Sequence, residues 1–419
     1  MGPQRERPAL RRLVGPHVED FASSTWGSRP LLVRAADLPQ PFDDLFGPDA
    51  IDELVSRRGL RTPFLRVAKD GSALPDRAFT RGGGVGAGVT DQVSDDDLLA
   101  LFADGATLVG QGLHRTWPPL LELGQQLTED LGHPVQINAY ITPPQNQGFA
   151  AHYDIHDVFV LQTSGSKAWR IHEPVHPAPL RSDPWDERRA EVAEAALGEP
   201  VIDTVLEPGD CLYLPRGFLH SAKALGQVSS HVTIGVHSWT VHEVAHQLSS
   251  AAMSRLGRDE QIRRSLPLGA DLSTAEAFAS TAPDVFQQAK DALLQAISEL
   301  EPADVAAALA RRDRSSTRTS PVSPVAQVQA ALDLTDHSRV RLRPHLQLTV
   351  APDAGAGSTG NVSADRLRLS SRVASLVVES GDVDRAGLDR LLDGAVVTAA
   401  ELGVGVTREL LRRGVVVPA

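Results

Sequence analysis

The sequence predicts an α+β protein in which a double-stranded β-helix, or jelly-roll, barrel precedes a helical region and a C-terminal winged helix. Three observations lead to this fold class. Branched and aromatic residues fill short runs between residues 135 and 239, as in β-strands. Apolar residues then recur at helical spacing from Val241 to Leu300. The strand and helix patterns of residues 325–419 indicate a further small unit after a Ser/Pro-rich segment.

Composition limits the function classes. The chain has 419 residues, 42% of them hydrophobic and 22% charged, which is typical of a globular protein with two or three domains. A net charge of −12 argues against nonspecific binding to nucleic acid phosphates. The single cysteine, Cys211, allows no internal disulfide and fits a reducing compartment. Because no segment matches a membrane span or a secretion signal, we expect a cytoplasmic protein.

The N-terminal region should supply helices and loops around the barrel. Residues 17–35 are expected to form a short helix and an edge strand, and Ser94 should cap the helix that follows it. The Gly-rich run 81–88 lacks the Lys-Ser/Thr of a phosphate loop, so we interpret it as a flexible loop near the barrel mouth. The predicted helices are residues 41–60, 94–103 and 116–131.

Strands of the barrel are expected next. The insertion 176–200 should interrupt them as a surface excursion, and a lid over the site is the less favoured interpretation. The predicted strands are residues 135–142, 152–162, 167–172, 201–206, 210–214 and 231–239.

Two motifs within these strands indicate a metal site. His152 and Asp154 lie two residues apart between Gly148 and Gly165, and alternate residues of a strand share a face. The pattern Gly-x5-Pro-x-Gly-x2-His ends at His220 and resembles the second cupin motif. Alone, each motif is usually a solvated strand face or a turn, but together and in this order they favour a metal site. Two histidines and a carboxylate suit non-haem Fe(II), whereas structural zinc prefers four ligands with thiolates.

The C-terminal half has a different pattern. Apolar stripes at 241–252 and 285–300 predict helices, and Pro302 should end the second of them. Arg311–Pro324 is expected to be a polar linker. Beyond it we expect a strand at 340–350 and a capping box from Thr398 to Glu401. A turn at Gly403–Gly405, a helix and a final strand would complete a winged helix; since it has few basic residues, protein packing is favoured over DNA binding. These basic residues are Arg408, Arg412 and Arg413.

The motif region resembles the JmjC-type ribosomal oxygenases, which are Fe(II)- and 2-oxoglutarate-dependent protein hydroxylases. The resemblance rests on Asn138-Ala-Tyr140-Ile-Thr-Pro-Pro, on the His152-Tyr-Asp154 segment and on Gly165-x-Lys167-x-Trp-Arg. It is dense over residues 135–240 and closest to the nucleolar, histidine-hydroxylating branch. It implies an oxygenase domain with its N-terminal extension at 1–240, a helical dimerisation region at 241–313 and a winged helix at 325–419.

The resemblance also implies roles for individual residues. His152, Asp154 and His220 correspond to the iron ligands. Lys167 and Tyr140 correspond to partners of the distal carboxylate of 2-oxoglutarate, and Asn138 to a polar residue near that co-substrate. The chemistry agrees, because burying a dianion without a cation is costly and Lys167 is one of only four lysines in the chain.

Two further positions bear on the pocket. Relatives can carry a hydroxyl residue where this chain has Gly235, so the chain departs from their pattern at this position. His156 is expected to line the pocket without binding metal, because its parity matches that of His152 and Asp154.

For function, we expect an oxygenase that uses Fe(II), 2-oxoglutarate and O2 to hydroxylate a side chain of a ribosomal protein. Histidine is preferred over arginine, because recognition of a guanidinium usually needs carboxylates and the spare acid, Asp157, should face away from the ligands. The resemblance implies a homodimer. The alternatives are a small-molecule hydroxylase, a dioxygenase that uses no keto acid, and a non-catalytic barrel used as a binding or regulatory module.

Overall fold

The computed structural model of the protein describes residues 6–69, 71–147, 149–353 and 366–419. Gly148, which bounds a predicted strand, and residues 1–5, where the sequence predicts no secretion signal, lie outside these ranges. The chain divides into two compact units, Met1–Ser238 and Trp239–Ala419. The predicted division at 1–240, 241–313 and 325–419 remains a prediction. In the described ranges no helix is long and apolar enough to cross a membrane.

The first unit contains eleven strands and seven α-helices among its described residues. The strands are β1 Leu31–Val33, β2 Leu65–Lys69, β3 Ser72–Ala73, β4 Thr80–Arg81, β5 Gln92–Val93, β6 Thr107–Gly110, β7 Val135–Thr142, β8 Asp157–His172, β9 Ile202–Leu206, β10 Cys211–Leu214 and β11 Leu219–Val236. The helices are α1 Pro8–Val14, α2 Val18–Asp20, α3 Pro48–Arg57, α4 Asp95–Ala103, α5 Leu113–Thr116, α6 Pro118–Leu131 and α7 Arg189–Ala195.

Nine of these strands form one antiparallel sheet. Its order is β1-β10-β8-β11-β7-β6-β2-β3, and β9 pairs with β8 outside this path. The long strands β8 and β11 pair along most of their length, from Leu219 opposite His172 to Val236 opposite Asp157. Their register shifts between Leu225 and His231, which bends the pair. The antiparallel pairing is consistent with the predicted jelly-roll, and β1 lies at the edge of the sheet as expected.

The predicted strand 152–162 is wrong in its first half, and the break before residue 167 does not exist. Strand β8 runs without interruption from Asp157 to His172, and Gly165 adopts a left-handed backbone (φ +59°) inside it. Residues 152–156, which precede β8, do not form a continuous row of hydrogen bonds with a neighbouring strand. Their backbone instead bonds to the start of β11 and the turn before it. His152 exchanges two hydrogen bonds with His220 of β11, and Asp154 O accepts one from Gly217 N of the turn at 3.0 Å.

Other predictions in this unit are confirmed, with shifted ends. The predicted strand 135–142 is β7, and the predicted helix 116–131 is α6, which begins at Pro118. Ser94 caps α4 by accepting a hydrogen bond from Asp97 N at 3.3 Å. The predicted helix 41–60 begins only at Pro48, since Gly47 is extended and proline is favoured in a first helical turn. The predicted strand 231–239 is the second half of the longer β11.

Helix α6 and the N-terminal segment pack on the face of the sheet that points away from the site. Leu120 and Leu127 of α6 are fully buried, as their helical spacing predicts. Phe21 packs between Phe159 and Tyr213, with ring centroids 5.7 and 4.8 Å apart. Because each such side chain contributes about 1.5–3 kcal/mol on burial, this layer fixes the sheet that carries the site.

The second unit contains eight α-helices and six strands among its described residues. The helices are α8 Val241–Leu256, α9 Ala275–Thr281, α10 Val285–Ser298, α11 Pro302–Ser316, α12 Pro324–Leu332, α13 Arg385–Leu392, α14 Ala399–Leu402 and α15 Val404–Arg412. The strands are β12 Arg339–Leu342, β13 Thr349–Pro352, β14 Arg366–Ser370, β15 Ser375–Glu379, β16 Val397–Thr398 and β17 Val416–Pro418. Two three-stranded sheets have the orders β16-β12-β17 and β13-β14-β15.

Two predictions in this unit need correction. Pro302 begins α11, and the predicted linker from Arg311 therefore starts only after Ser316. The cause is a capping box between Glu301 and Asp304 followed by good helix formers. The predicted strand 340–350 is two strands, β12 and β13.

The expected capping box at Thr398 is confirmed. The expected turn at 403–405 is limited to Gly403, because α15 already begins at Val404. The order α14, α15, β17 is the one that a helix-turn-helix with a wing requires, and the winged helix remains a prediction.

We expect Gly165→Ala to destabilise the first unit far more than Gly226→Ala. Both glycines have left-handed φ angles, +59° and +60°, so both substitutions share a backbone cost of about 1–2 kcal/mol. A Cβ at residue 165 would lie 2.2 Å from Val228 O. A Cβ at residue 226 would lie more than 4 Å from every surrounding described atom outside its chain neighbours. Urea denaturation followed by tryptophan fluorescence should give an additional loss of about 2 kcal/mol or more for Gly165→Ala. Equal losses would show that the close approach to β11 is not rigid.

Candidate metal centre and co-substrate cavity

A cavity of about 490 Å³ lies on the face of the sheet opposite α6. Strands β7 and β11 are paired so that Tyr140 lies opposite His231 and Asn138 opposite Thr233. Since alternate residues of a strand share a face, every second residue of both strands points into the cavity. The side chains and backbone that line it from these strands are those of Gln136, Asn138, Tyr140, His231, Thr233 and Gly235.

His152, Asp154 and His220 meet at the wall of this cavity. Each offers one ligand atom, and these atoms lie within 4.8 Å of one another. Two backbone hydrogen bonds hold the histidines together, His152 N to His220 O at 3.2 Å and His220 N to His152 O at 2.8 Å. Their ring centroids are 4.4 Å apart, and Asp154 Oδ2 lies 3.7 Å from His220 Nε2. The structure therefore brings the three predicted ligands together, although not on one strand.

The remaining hydrogen bonds of these histidines leave the same nitrogen available on both rings. His152 Nδ1 lies 2.8 Å from Ala150 O, and His220 Nδ1 lies 3.2 Å from Phe218 O. A carbonyl can only accept, so both rings carry their proton on Nδ1 and present the lone pair of Nε2. Metal-binding histidines are commonly oriented by such backbone carbonyls. The two rings thus have the tautomer that a metal ion requires.

Electrostatics favours the unprotonated forms of His220 and Asp154. Burial, together with the nearby His152, lowers the pKa of His220 to about 4, so its ring is neutral at pH 7. Burial alone would raise the pKa of the Asp154 carboxyl, but the imidazoles around it and Arg66 outweigh this effect and lower it. A neutral imidazole and a carboxylate are the protonation states that bind a divalent cation.

Lys167 is buried at the cavity floor, with 3% of its surface exposed. Its Nζ lies 3.1 Å from Thr142 Oγ1 and 3.4 Å from His231 Nδ1, both uncharged partners. No carboxylate of the described residues forms an ion pair with it. Burial lowers the pKa of Lys167 to about 7. A buried ammonium without a counter-ion is costly, which makes this end of the cavity receptive to an anion.

Tyr140 and Asn138, the other predicted co-substrate residues, also line the cavity. The Tyr140 ring stacks on His231 with centroids 5.0 Å apart, and burial raises the pKa of Tyr140 to about 12, so its hydroxyl keeps its proton. Asn138 Oδ1 accepts a hydrogen bond from Gly112 N at 3.1 Å. Its amide group is thus oriented by the loop before α5.

Other predictions around the site have mixed outcomes. His156 lines the cavity as expected, and Trp185 from the 176–200 insertion does too. The described lining includes no residue from the Gly-rich loop 81–88, and its expected place near the mouth remains a prediction. Asp157 is fully buried outside the lining, where it accepts hydrogen bonds from Arg216 N at 2.8 Å and Ser238 Oγ at 2.7 Å.

Sequence reasoning missed Arg66, which lines the cavity from β2 and lies close enough to Tyr140 and Asp154 to affect their pKa values. Its Nε is buried without a hydrogen-bond partner among the described residues. No sequence signal pointed to it, because residues 65–69 carried no predicted strand. Its position follows only from the pairing of β2 with β6 and of β6 with β7.

Comparisons with known proteins show which protein family the sequence resembles. A family model described as JmjC domain matches residues 121–244, the part of the chain that holds the three clustered ligands. The match spans most of helix α6, strands β7 to β11 and the metal-ligand cluster described above.

Individual relatives then narrow the resemblance. The bifunctional lysine-specific demethylase and histidyl-hydroxylase NO66 of Aedes aegypti is 30% identical over 261 residues, which are 60% of this chain and 38% of that protein. Human ribosomal oxygenase 1 is 40% identical over 148 residues, 34% of this chain and 22% of that protein. The chain thus spans less than half the length of these relatives. The resemblance to ribosomal oxygenases that the motifs indicated is confirmed.

Solved structures match over the whole fold. YcfD, a ribosomal oxygenase from Escherichia coli solved in complex with cobalt and 2-oxoglutarate, superposes with a TM-score of 0.54 and 19% identity. The match covers 97% of this chain and 99% of that one. At this identity the likeness establishes a shared fold.

Replacing Lys167 with methionine should stabilise the ligand-free protein near neutral pH. The pKa of Lys167 falls from 10.5 to about 7 on folding, so the unfolded chain binds more protons between these values. The free energy of unfolding therefore rises with pH across this window. Below pH 7 the free-energy cost of the buried ammonium is fully present. Lys167→Met removes it, with a gain on the order of a few kcal/mol at pH 7 that shrinks towards pH 10.

Urea denaturation of the wild type and variant at pH 7 and pH 9.5 measures this difference. Lys223→Met is the matched control, because Lys223 is exposed on the neighbouring strand β11. A loss of stability in Lys167→Met at pH 7 would contradict the account of an uncompensated ammonium.

Proposed function

We propose that this protein is an Fe(II)- and 2-oxoglutarate-dependent oxygenase that hydroxylates a protein side chain. The observation that carries the proposal is the buried Lys167, paired only with uncharged groups, in the same cavity as His152, Asp154 and His220. A metal centre and an anion site in one cavity are what a chelating dicarboxylate needs. The complex of the structurally similar YcfD with cobalt and 2-oxoglutarate supports the same pairing of ligands.

In this proposal the three clustered residues hold the iron. His152 and His220 would contribute Nε2, since their Nδ1 atoms are committed to backbone carbonyls, and Asp154 would contribute a carboxylate oxygen. Two histidines and one carboxylate on one side of the ion leave coordination positions for a co-substrate and for O2. Fe(II) with 2-oxoglutarate and O2 supplies the oxidising chemistry for C–H hydroxylation.

The protein's own residues would position the co-substrate. Lys167 would pair with the distal carboxylate of 2-oxoglutarate, and the carboxylate would in turn stabilise the ammonium form of the lysine. The protonated Tyr140 hydroxyl can donate a hydrogen bond nearby, and Asn138 would contact the co-substrate through its amide. Trp169 and Trp185 line the same cavity and would help to exclude water.

The charge of the cavity favours a histidine over an arginine as target. Of the described lining residues, Asp154 alone is a carboxylate, and the metal would occupy it. Arg66 and Arg115 add positive charge to the lining. A substrate guanidinium would find no anionic partner there, whereas a neutral imidazole needs none. The names of the relatives, histidyl-hydroxylase and ribosomal oxygenase, support a histidine of a ribosomal protein.

The second unit supports a proposal about assembly. Helices α8 and α10 pack on each other, yet both keep large apolar side chains exposed, as at a protein–protein contact. The exposed fractions are 86% for Val241, 58% for Met253, 66% for Phe286 and 56% for Leu294. We infer that the 241–313 region pairs two copies of the chain in a two-fold homodimer.

We also infer that the C-terminal winged helix packs against protein rather than DNA. Arg412 and Arg413 pair with Glu409, and Arg408 donates a hydrogen bond to Ala331 O, so the basic residues of α15 have partners within the unit. A cytoplasmic location remains a prediction.

Mass spectrometry of large-subunit ribosomal proteins tests the function. Proteins from a strain lacking the gene should miss a hydroxyl on one histidine, and expression of the wild-type chain should restore it. His152→Ala and Asp154→Ala should not restore it, and the purified variants should convert 2-oxoglutarate to succinate at least about a hundredfold more slowly, because each lacks a metal ligand. His246→Ala, which changes an exposed histidine of α8, is the control and should behave as wild type.

The outcomes separate the alternatives. Loss of the hydroxyl from an arginine would reverse the choice of target, and unchanged ribosomal proteins with normal 2-oxoglutarate turnover would point to a small-molecule hydroxylase. Normal turnover in both ligand variants would contradict the metal assignment.

The homodimer can be tested at the exposed apolar face. Phe286→Asp combined with Leu294→Asp should convert a dimer into a monomer, because two charges would be buried in the contact. Size-exclusion chromatography with light scattering at micromolar concentration measures the mass directly. Val325→Asp is the control, since Val325 is 84% exposed on α12, outside the inferred contact. A wild-type monomer would contradict the proposal.

A further inference from the structure

One wall of the cavity is formed by the start of β2 and the loop between β6 and α5. Phe64 O accepts a hydrogen bond from Gln111 N at 2.8 Å, which extends the pairing of β2 with β6 by one residue. Phe64 and Arg66 share a face as alternate residues, and both line the cavity. Arg115 of α5 lines the same wall: a Cβ on Gly112 would lie 3.5 Å from the Phe64 ring and 3.9 Å from Arg115 Cδ. The wall therefore carries two guanidinium groups.

These two arginines lack the acidic partner that a neighbouring basic residue has. Lys69, at the end of β2, pairs with Asp104. By contrast, the side chains of Arg66 and Arg115 form no hydrogen bond or ion pair with any residue that the structure describes. Asp154 is the one carboxylate of the described lining, and the proposed metal would occupy it. The positive charge of this wall is therefore unmatched.

The guanidinium group of Arg66 can be reached from the cavity. The residue is half-buried and lines the cavity, and its Nε is fully enclosed without a partner among the described residues. Neither Nη1 nor Nη2 is enclosed in this way, so a ligand in the cavity can meet both. Arg115 is exposed, which places it where the wall meets solvent.

The wall is separate from the anion site at Lys167. Arg66 is on β2 and Lys167 is on β8, and strands β6, β7 and β11 lie between them in the sheet. Four strand spacings amount to roughly 19 Å along the sheet. The two cations therefore enter the cavity from different sides, and a co-substrate anchored at Lys167 would leave the arginines without an anion.

A target that enters the cavity would cover Arg66 and displace water from its donors. Donors that lose water are costly unless an acceptor replaces it. A carboxylate is the acceptor that matches two adjacent N–H groups of a guanidinium, and its charge would offset that of the arginine. The target is therefore expected to bring its own carboxylate to this wall.

We propose that Arg66 and Arg115 form a carboxylate site, which binds an aspartate or glutamate next to the hydroxylated residue of the target protein. The inference rests on the proposed function and extends it to the sequence around the target residue. A nucleic acid phosphate is a poorer match, because further phosphates would follow it and the net charge of −12 would repel the strand. The same arginines that repel a substrate guanidinium would thus attract an acidic neighbour.

Peptide pairs that differ in one charge test this site. The probes are N-acetyl-Gly-Glu-His-Gly-amide, N-acetyl-Gly-His-Glu-Gly-amide and their two counterparts with glutamine for glutamate, titrated by NMR at pH 8 into protein loaded with Zn(II) and 2-oxoglutarate. At this pH the peptide histidine is neutral. At least one acidic peptide should bind about fivefold or more tightly than its glutamine counterpart, as expected for charge-assisted hydrogen bonds. Because the net charge of the protein repels acidic peptides, such a preference requires a local site.

Substitutions assign the preference to the wall. Arg66→Met should reduce it to less than about twofold, and Arg66→Lys should give an intermediate value, since the charge remains but the planar pair of donors is lost. Arg115→Met should reduce it less than Arg66→Met does, because an exposed arginine is screened by solvent. Arg11→Met is the matched control and should keep the wild-type preference, since Arg11 is exposed on α1, which packs on α6 across the sheet from the cavity.

Calorimetry with 2-oxoglutarate on the metal-loaded protein separates the two anion sites. Arg66→Met should bind the co-substrate within about threefold of the wild type, which also shows that the cavity of this variant is intact. Lys167→Met should bind it at least about tenfold more weakly, because it lacks the cation for the distal carboxylate. Equal weakening in the two variants would make Arg66 a co-substrate residue and overturn the inference.

Three further results would overturn it. They are equal binding of the acidic and amide peptides to the wild type, absence of binding by any of the four peptides at millimolar concentration, and a preference that survives Arg66→Met. Displacement of the acidic peptide by a lower concentration of a short single-stranded RNA would assign the wall to phosphate instead. The proposed function fails separately, if the metal-loaded wild type does not bind 2-oxoglutarate; the peptide preference can then still be measured on the metal-loaded protein alone.

Discussion

The site depends on one pair of backbone hydrogen bonds, those that His152 and His220 exchange. They join the segment before β8 to the first residues of β11, two parts of the chain that are distant in sequence. Residues that exchange both bonds are held side by side in an antiparallel pair, and their side chains project to the same face. The two imidazoles are therefore placed by the backbone, before any metal contributes. Because Gly217 N also binds Asp154 O, the same turn positions the carboxylate.

The sequence predicted the site better than it predicted the strands that form it. His152, Asp154 and His220 do converge, but the parity argument for the first two assumed a strand that begins only at Asp157. The prediction succeeded because the single bridge to His220 orients His152 much as a ladder would. Along β7 the alternation of a regular strand places Gln136, Asn138 and Tyr140 on the cavity face. Asn138 and Tyr140 were expected at the site from the family resemblance, whereas Gln136 was not predicted.

Features that depend on partners distant in sequence were not predictable. Arg66 enters the cavity only because β2 pairs with β6, and β6 with β7. Gly165 looked like the end of a strand, yet it lies inside β8 where the chain passes close to Val228. The segment from Arg311 was predicted to be a linker because it is polar, but the capping box at Glu301 starts a helix that continues to Ser316. In each case tertiary pairing or a local cap outweighed composition.

The two ends of the cavity, at Lys167 and at His156, differ in electrostatic character. At one end a buried ammonium faces only neutral groups, so an anion is favoured there and the empty site is destabilised. At the other end Gln136 Nε2 lies 3.1 Å from His156 Nε2, and the His237 ring packs edge-on against the His156 ring. Asp154 is the sole carboxylate of the described lining, whereas Arg66, Arg115 and Lys167 are basic. The proposed dianionic co-substrate would therefore find its charge partner at the Lys167 end, which leaves the opposite end of β7 to a side chain that needs no counter-charge.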